Sequence, residues 1–302
     1  MTSKVLAAAG AVAATGAACF GWGLFEAGLY TLRRVEVPVL PADGAPLHVL
    51  HISDLHLIAG QERKLEFLRS LPNLRPDLVV NTGDNIAQGA AIAPLMAAIE
   101  PLRELPGVFV FGSNDYYKPH FRNPLKYLIH GSSHGNDEAR TDLPIDELRE
   151  RLSEFGWIDL THRRATLNVA GYRLAFRGTD DAHLERDDYA SVTGPADPAA
   201  DLNIGVTHAP YLRLLDAMTA DGMDLIFAGH THGGQVCVPG YGALITNCDL
   251  DTARVKGLSS HTSGGKTAAL HVSGGLGSSP FAPYRFANRP EATLLTLTPR
   301  AA

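Results

Sequence analysis

Gly229-His230-Thr231-His232-Gly233-Gly234-Gln235 follows directly on the apolar run Leu225-Ile226-Phe227-Ala228. The run reads as a short buried strand. The two histidines then stand just past a strand's C-terminal end, on a glycine-rich turn, and in open α/β sheets ligands bind outside that edge. Alternate residues of an extended segment point the same way, so His230 and His232 can face one pocket. A His-x-His on a polar turn is equally compatible with two solvated imidazoles. What the other strands carry at their ends decides between the two.

Working outward, Leu47-His48-Val49-Leu50-His51-Ile52 is a strand-like run that ends in Ser53-Asp54-Leu55-His56. A helical segment spans Glu62 to Leu71. Leu78-Val79-Val80-Asn81 follows and ends in Thr82-Gly83-Asp84-Asn85, and residues 91–105 have helical periodicity. Val108-Phe109-Val110-Phe111 ends in Gly112-Ser113-Asn114-Asp115. This βαβαβ rhythm predicts a parallel sheet whose strands each end in polar residues. Further on, residues 143–157 read as helix and Leu167 to Phe176 as a hairpin turning at Ala170-Gly171. Asn203-Ile204-Gly205-Val206 is a strand ending in Thr207-His208-Ala209-Pro210. A short helix over 211–219 leads to the strand before His230, and Ala268–Val272 and Ala292–Leu297 are strand-like. The fold class expected is α/β, with metal-ligating groups at the C-terminal strand edge.

The chain has 302 residues and is 45% hydrophobic, enough for one large domain with a sizeable core. A net charge of −6 and the lack of a basic run argue against general nucleic-acid binding. Cys19, Cys237 and Cys248 form no Cys-x-x-Cys pair; Cys237 and Cys248 could be bridged, but nothing requires it.

Residues 5–30 are apolar apart from Glu26, and their length suits a membrane-spanning helix, which needs about 20 apolar residues. That is long for the roughly 7–15-residue core of a secretory signal. Trp22 and Tyr30 sit toward its end, as interfacial aromatics do. The segment is expected as a single-pass anchor in the cell membrane. Lys4 on one side against Arg33 and Arg34 on the other sets no clear side for the following domain. Residues 31–46, with three prolines from Pro38 onward, are expected as an extended linker, and the catalytic domain as 47–298.

Asp54 with His56, Asp84, Asn114, His208, and His230 with His232 thus stand at the ends of separate apolar runs. One such group at one strand end is unremarkable; the same chemistry at five argues for a shared site. Mixed imidazole and carboxylate donors suit Mn, Fe or Zn rather than Ca. Two ions need a ligand that reaches both, and Asp84, alone on a central strand, is the natural bridge.

In order, Asp-x-His (Asp54, His56), Gly-Asp (Gly83, Asp84), Gly-[Asn/Ser]-x-Asp (Gly112 to Asp115), a lone strand-end His208 and Gly-His-x-His (His230, His232) resemble the calcineurin-like metallophosphoesterase superfamily. The chain looks most like the bacterial branch with an N-terminal membrane segment, whose site reads Gly-His-Thr-His-Gly-Gly-Gln. The likeness covers about residues 47–298; Gly275-Leu276-Gly277 and Pro290-Glu291 also look like that branch's tail. It implies an α/β/β/α sandwich of two central mixed sheets flanked by helices. It also implies two divalent ions: Asp54, His56, Asp84 and His232 would hold one, and Asp84, Asn114, His208 and His230 the other. The implied activity is hydrolysis of phosphodiester or pyrophosphate bonds by hydroxide, without a covalent phospho-enzyme. Asn114 and Asp115 are then the candidate catalytic residues, and Asn85 and Tyr116 candidate substrate contacts.

The family pattern at the third strand end is Gly-Asn-His-Asp, where the histidine assists the leaving group; here the residues are Gly112-Ser113-Asn114-Asp115. Either Asn114 reaches the metal, or Ser113 ligates weakly and Asn114 bonds the phosphate. Both readings remove the usual imidazole acid. His120, His134 and His183 are the substitutes at hand. The irregular stretch 116–142, with Tyr116, Tyr117, Lys118, Phe121 and Arg122, is expected either to face an amphiphilic, lipid-linked or cell-envelope phosphate or to be plain surface. Two other readings remain: a catalytically weak membrane protein that keeps the fold and binds metal, and a metal-dependent amidohydrolase, whose His-x-His would be expected early rather than last.

Overall fold

The computed structural model describes residues 2–121 and 141–300. Two six-stranded sheets carry the domain. In spatial order the first contains β1 (Thr31–Leu40), β14 (Glu291–Pro299), β2 (Leu47–Ile52), β3 (Leu78–Asn81), β4 (Gly107–Phe109) and β5 (Ile158–Asp159). The second contains β12 (Gly257–Ser263), β13 (Lys266–Val272), β9 (Leu225–Ala228), β8 (Leu202–Val206), β7 (Tyr172–Gly178) and β6 (Arg163–Val169). The short strands β10 (Cys237–Val238) and β11 (Gly242–Ala243) form a separate hairpin.

Each sheet has a parallel centre. β2, β3, β4 and β5 run parallel, as do β7, β8, β9 and β13. β14 enters the first sheet antiparallel to β2, and β6 and β12 close the second sheet with antiparallel pairs, so both sheets are mixed. Val49, Val80 and Val108 of the first sheet share one apolar cluster with Leu174, Ile204 and Phe227 of the second. The two sheets therefore pack face to face. Helices at Glu62–Ser70, Ile92–Ile99 and Ile145–Ser153 cover the outer face of the first sheet, and the helix Leu212–Asp221 covers that of the second. This is the expected α/β/β/α sandwich. Burial on both sides explains why the central strands read as continuous apolar runs. The hairpin turns where expected, with Ala170 (φ 49°) and Gly171 (φ 89°) both in the left-handed region, as a two-residue turn that suits strand twist requires.

The N-terminal helix α1 spans Thr2–Glu26 and is exposed from Lys4 to Trp22. Lys4–Glu26 is long and apolar enough to cross a membrane. The helix ends before Tyr30, which packs on Phe67 with ring centroids 5.7 Å apart instead of continuing the apolar segment.

The segment expected as a linker is different in the structure. Thr31–Leu40 is an edge strand of the first sheet, paired in parallel with β14 from Thr31↔Glu291 onward. Pro38 hid it: proline donates no hydrogen bond and is tolerated in sheets at edges. The folded unit thus begins at about Thr31, and only residues 41–46 form a turn. Cys19, Cys237 and Cys248 are all free thiols.

Candidate metal centre

The ligand-bearing loops are built alike. Asp54, His56, Asp84, His230 and His232 all have positive φ, between 42° and 71°. Asp and His tolerate this region better than most residues, but each such residue still costs roughly 1–3 kcal/mol. Local hydrogen bonds offset that cost. Asp54 N and His56 N donate to Gly83 O and Asp84 O at 2.8 and 2.9 Å, locking the β2 loop to the β3 loop. Gly229 N donates to His208 O at 2.8 Å, locking the β9 end to the β8 end. Space is equally tight: a Cβ on Gly112 would lie 2.5 Å from His208 Cε1, so only glycine lets the third loop approach.

Asp54, His56, Asp84 and His232 each present one ligand atom, all within 4.8 Å of one another. His56 Nε2 is 3.0 Å from His232 Nε2 and 3.3 Å from Asp84 Oδ2, and His232 Nε2 is 3.5 Å from Asp54 Oδ1. On the other side of Asp84, His208 Nε2 lies 3.6 Å from Oδ2, and the His208 and His230 ring centroids are 5.3 Å apart. Asp84 therefore stands between two groups of donors.

Backbone carbonyls orient three of the histidine rings. His208 Nδ1 faces Thr82 O at 2.6 Å, His230 Nε2 faces Asn247 O at 3.1 Å, and His232 Nδ1 faces Gly277 O at 3.0 Å. A carbonyl only accepts, so His208 Nδ1 carries a proton and Nε2 is the atom turned toward Asp84. His230 Nε2 also meets the Asn247 side-chain amide and His232 Nδ1 the Arg285 guanidinium, both at 3.3 Å. His208 Nε2 is buried and has no hydrogen-bond partner among the described residues. A divalent cation fits this donor set.

Electrostatics follow from burial and the Asp84–His208 pair. Burial pushes Asp84 upward, but the charge of nearby His208 outweighs it and holds the carboxyl well below its usual range. Burial alone would lower His208, and Asp84 instead raises it well above the ordinary imidazole value. Burial draws His56 and His230 down to about 4 and His232 well below normal. Burial also lifts Asp54 to about 6, against the opposing charge of His208.

At the third strand end, Asn114 stands against Asp84, and the Ser113 hydroxyl accepts from its Nδ2 at 3.2 Å. Asp115, expected as catalytic, is fully buried. Its carboxylate accepts from the backbone N–H groups of Asp84, Asn85 and Gly112 at 2.8, 2.7 and 3.1 Å. It organises the loops and touches no open space. Asn85 and Tyr116, expected as substrate contacts, are buried as well. Asn85 bonds Asn81 and Asp115, while the Tyr116 hydroxyl donates to Asp180 at 2.7 Å beneath the Arg186 guanidinium. Of the aromatic residues at the start of the 116–142 stretch, Phe121 is exposed. Arg122 and His134 lie outside the described residues.

Other residues of the site carry no motif. The His183 ring stands 4.4 Å from that of His230 and is only partly buried. Asp181, two residues earlier, is fully buried with Oδ2 unpartnered among the described residues. Arg285 is completely buried and donates to Gly274 O at 2.7 Å, Gly277 O at 2.5 Å and His232 O at 3.3 Å. Asn288 Nδ2 donates to the same His232 carbonyl at 2.6 Å.

A family model for calcineurin-like phosphoesterases matches residues 47–234, and the chain belongs to that family. The Bacillus subtilis protein YpbG is 29% identical over 83% of this chain and 81% of its own length. The B. subtilis metallophosphoesterase YkoQ is 26% identical over 83% and 85%. A bovine protein described as a transmembrane protein with metallophosphoesterase domain is 24% identical over 68% of this chain and 45% of its own. Among solved structures, a 5'-nucleotidase precursor from Thermus thermophilus aligns with 83% of this chain and 55% of its own at 13% identity and a TM-score of 0.42.

Proposed function

We propose that this chain is a membrane-anchored dinuclear metallophosphoesterase that hydrolyses phosphodiester or pyrophosphate bonds, with lipid-linked or cell-envelope phosphates as its substrate class. The observation that carries this reading is the position of Asp84 Oδ2, 3.3 Å from His56 Nε2 and 3.6 Å from His208 Nε2. One carboxylate thereby reaches both groups of donors.

Asp54, His56, Asp84 and His232 would hold one ion, and Asp84, Asn114, His208 and His230 the other. Two divalent ions supply Lewis acidity toward the phosphoryl oxygens and hydroxide at neutral pH. The protein's own part is positioning. The Thr82, Asn247 and Gly277 carbonyls orient the rings of His208, His230 and His232, and Asp115 ties the Asp84 loop to the third strand end. Asn114 takes the column of the family's leaving-group histidine and has no proton to give as a strong acid. His183, with its ring 4.4 Å from that of His230, is the residue we assign to that missing role. The apolar α1 supports single-pass anchoring, and the name of the bovine relative agrees with it.

The test uses the full chain in detergent, because cutting within 31–40 would remove an edge strand. The metal-free protein is reloaded with Mn²⁺ and assayed on bis(p-nitrophenyl) phosphate beside Asp84→Asn. Metal-dependent turnover that vanishes in the variant supports the proposal. Bound metal with no turnover in either protein favours a catalytically weak metal-binding membrane protein, a reading whose one support is Ser113-Asn114 in place of Asn-His.

A further inference from the structure

The end of α1 is built into the metal centre's own loops. Only Gly23 and Glu26 of its last turns are buried. Gly23 O accepts from Arg285 N at 3.0 Å. The Glu26 carboxylate accepts from Ala287 N and Asn288 N at 3.0 and 2.7 Å, and from Trp22 Nε1 at 2.8 Å. Arg285 and Asn288 in turn bind the carbonyl of His232. Gln235, the last residue of the histidine loop, donates through Nε2 to Ala282 O and Tyr284 O at 2.9 and 3.1 Å. Helix end, 281–288 loop and metal-binding turn form one hydrogen-bonded unit.

The sheets give this unit a direction. β1 starts at Thr31 opposite Glu291, and β14 runs antiparallel to β2 with Thr293 opposite His51. The start of β1 therefore lies at the edge where β2 ends in Asp54. α1 approaches the domain from the side on which the metal ligands sit. The loop also reaches back along the helix: the Tyr284 ring packs on Phe20 with centroids 5.8 Å apart. Phe20 lies about 9 Å before Glu26 along the axis at 1.5 Å per residue. Where α1 crosses a bilayer, the loop at Tyr284 therefore descends beside it.

The residues around that point are apolar and exposed. Phe281 is 51% exposed, and Tyr241, at the tip of the β10–β11 hairpin, is 76% exposed. Val236, Val238 and Leu244 of the same hairpin are 40–49% exposed. The hairpin is joined to the loop by the Val236–Phe286 bridge and by Cys237 N donating to Phe286 O at 2.9 Å. Scattered exposed apolar residues are ordinary. A set continuous with an apolar helix marks a membrane contact. Arg63, against Gly28 just past the helix end, and Arg289 are exposed, as suits anionic headgroups.

We propose that this edge is a bilayer-contact surface. The 278–286 loop and the 236–244 hairpin sit at the headgroup–acyl boundary of the leaflet that α1 enters, and the metal centre opens toward that lipid surface. This rests on the reading of α1 as a membrane span, and it adds that the domain lies on the membrane with its active edge down. Substrates are then phosphoesters presented in the headgroup layer.

Tryptophan quenching in vesicles tests it with the full chain. The vesicles are equal parts phosphatidylcholine and phosphatidylglycerol, with bromine on the upper acyl chain of a fraction of the lipid. The native tryptophans are Trp22, in α1, and Trp157, which lies against Gly107 at the opposite end of the strands. Trp22→Phe leaves Trp157 as a control. Tyr241→Trp or Phe281→Trp in that background places a reporter on the proposed surface. The expected result is strong quenching of the native protein, none of Trp22→Phe alone, and reporter quenching comparable to that of Trp22 in both added variants. Quenching of the native protein with neither reporter quenched overturns the surface while leaving the anchor intact. Reporters that shift to the blue without quenching overturn it in favour of a second protein copy covering the patch. Quenching of Trp22→Phe alone overturns it as unspecific adhesion. An unquenched native protein overturns the anchor and the surface together.

Discussion

Asn114 clasps Asp84 with two donors. Its backbone N–H reaches Oδ1 and its side-chain Nδ2 reaches Oδ2, both at 2.7 Å. The residue that stands where the family carries an imidazole acid therefore orients the Asp84 carboxylate. A carboxamide can hold a carboxylate or bind an ion, but it cannot protonate an alkoxide at neutral pH.

The first prediction follows from that substitution. The wild-type rate should depend steeply on leaving-group pKa, because the departing oxygen leaves without a strong proton donor. The paired change Ser113→Asn with Asn114→His should flatten the dependence. It should also speed the poorest leaving groups by about 10²-fold or more, the lower end of what general acids contribute. Rates across a series of substituted phenyl and alkyl diesters measure both slopes. A wild-type slope near zero would sink the idea.

Asp84→Asn should weaken metal binding at both positions at once, because one oxygen lies within ligand range of donors on each side. Affinity should fall by at least roughly 100-fold, since even changes to groups that merely support ligands cost 10–100-fold. Bound metal per chain, measured by elemental mass spectrometry after dialysis, reads this without an assay. Loss of only one ion would show that Asp84 is not shared.

Metal uptake should release protons, and the count should depend on pH in a definite sense. His56 and His230, drawn down to about 4, are already neutral at pH 7. His208, raised by Asp84, still carries its proton and must lose it to bind an ion. Asp54, lifted to about 6, adds a second competing proton as pH falls through 6. Both pKa values are raised in the metal-free site, so protonation opposes binding and affinity should climb with pH. Calorimetric titration with Mn²⁺ in buffers of different ionisation enthalpy gives the number directly. It should be about one proton at pH 7 and more at pH 5.5.

Arg285→Met should cost stability as well as metal affinity. The side chain is fully buried, and its removal strips donors from the carbonyls of Gly274 and Gly277. Unsatisfied buried acceptors cost about 1–3 kcal/mol each, so a total of roughly 3 kcal/mol is expected. Arg285→Lys should recover part of it, since an ammonium cannot span both carbonyls as a planar guanidinium does. Denaturant midpoints of the metal-free proteins compare the three. Equal midpoints would mean that solvent replaces the guanidinium without penalty.

The sandwich and six of the candidate ligands were legible because each lies at a local signal. Apolar runs buried on both faces announce parallel strands, and Asp54, His56, Asp84, His208, His230 and His232 follow them within a few residues. The signals failed where packing overrides local chemistry. Pro38 disguised β1, because an edge strand tolerates what a central strand does not. Asn85, Asp115 and Tyr116 lie within the motifs yet point into the scaffold, and sequence adjacency says nothing of which way a loop side chain turns. His183 and Arg285 lack motifs and reach the site only through tertiary contacts.

What the chain determines alone, then, is the alternation of elements and the identity of the donors, since both rest on interactions a few residues apart. What required the tertiary structure is geometry between distant segments. Asp84 came to lie between His56 and His208, three carbonyls orient the rings of three histidines, and Glu26 was drawn onto Ala287 and Asn288. Those contacts link residues up to 262 positions apart. They exist because two sheets must bury their shared apolar faces, and that long-range constraint leaves no local trace.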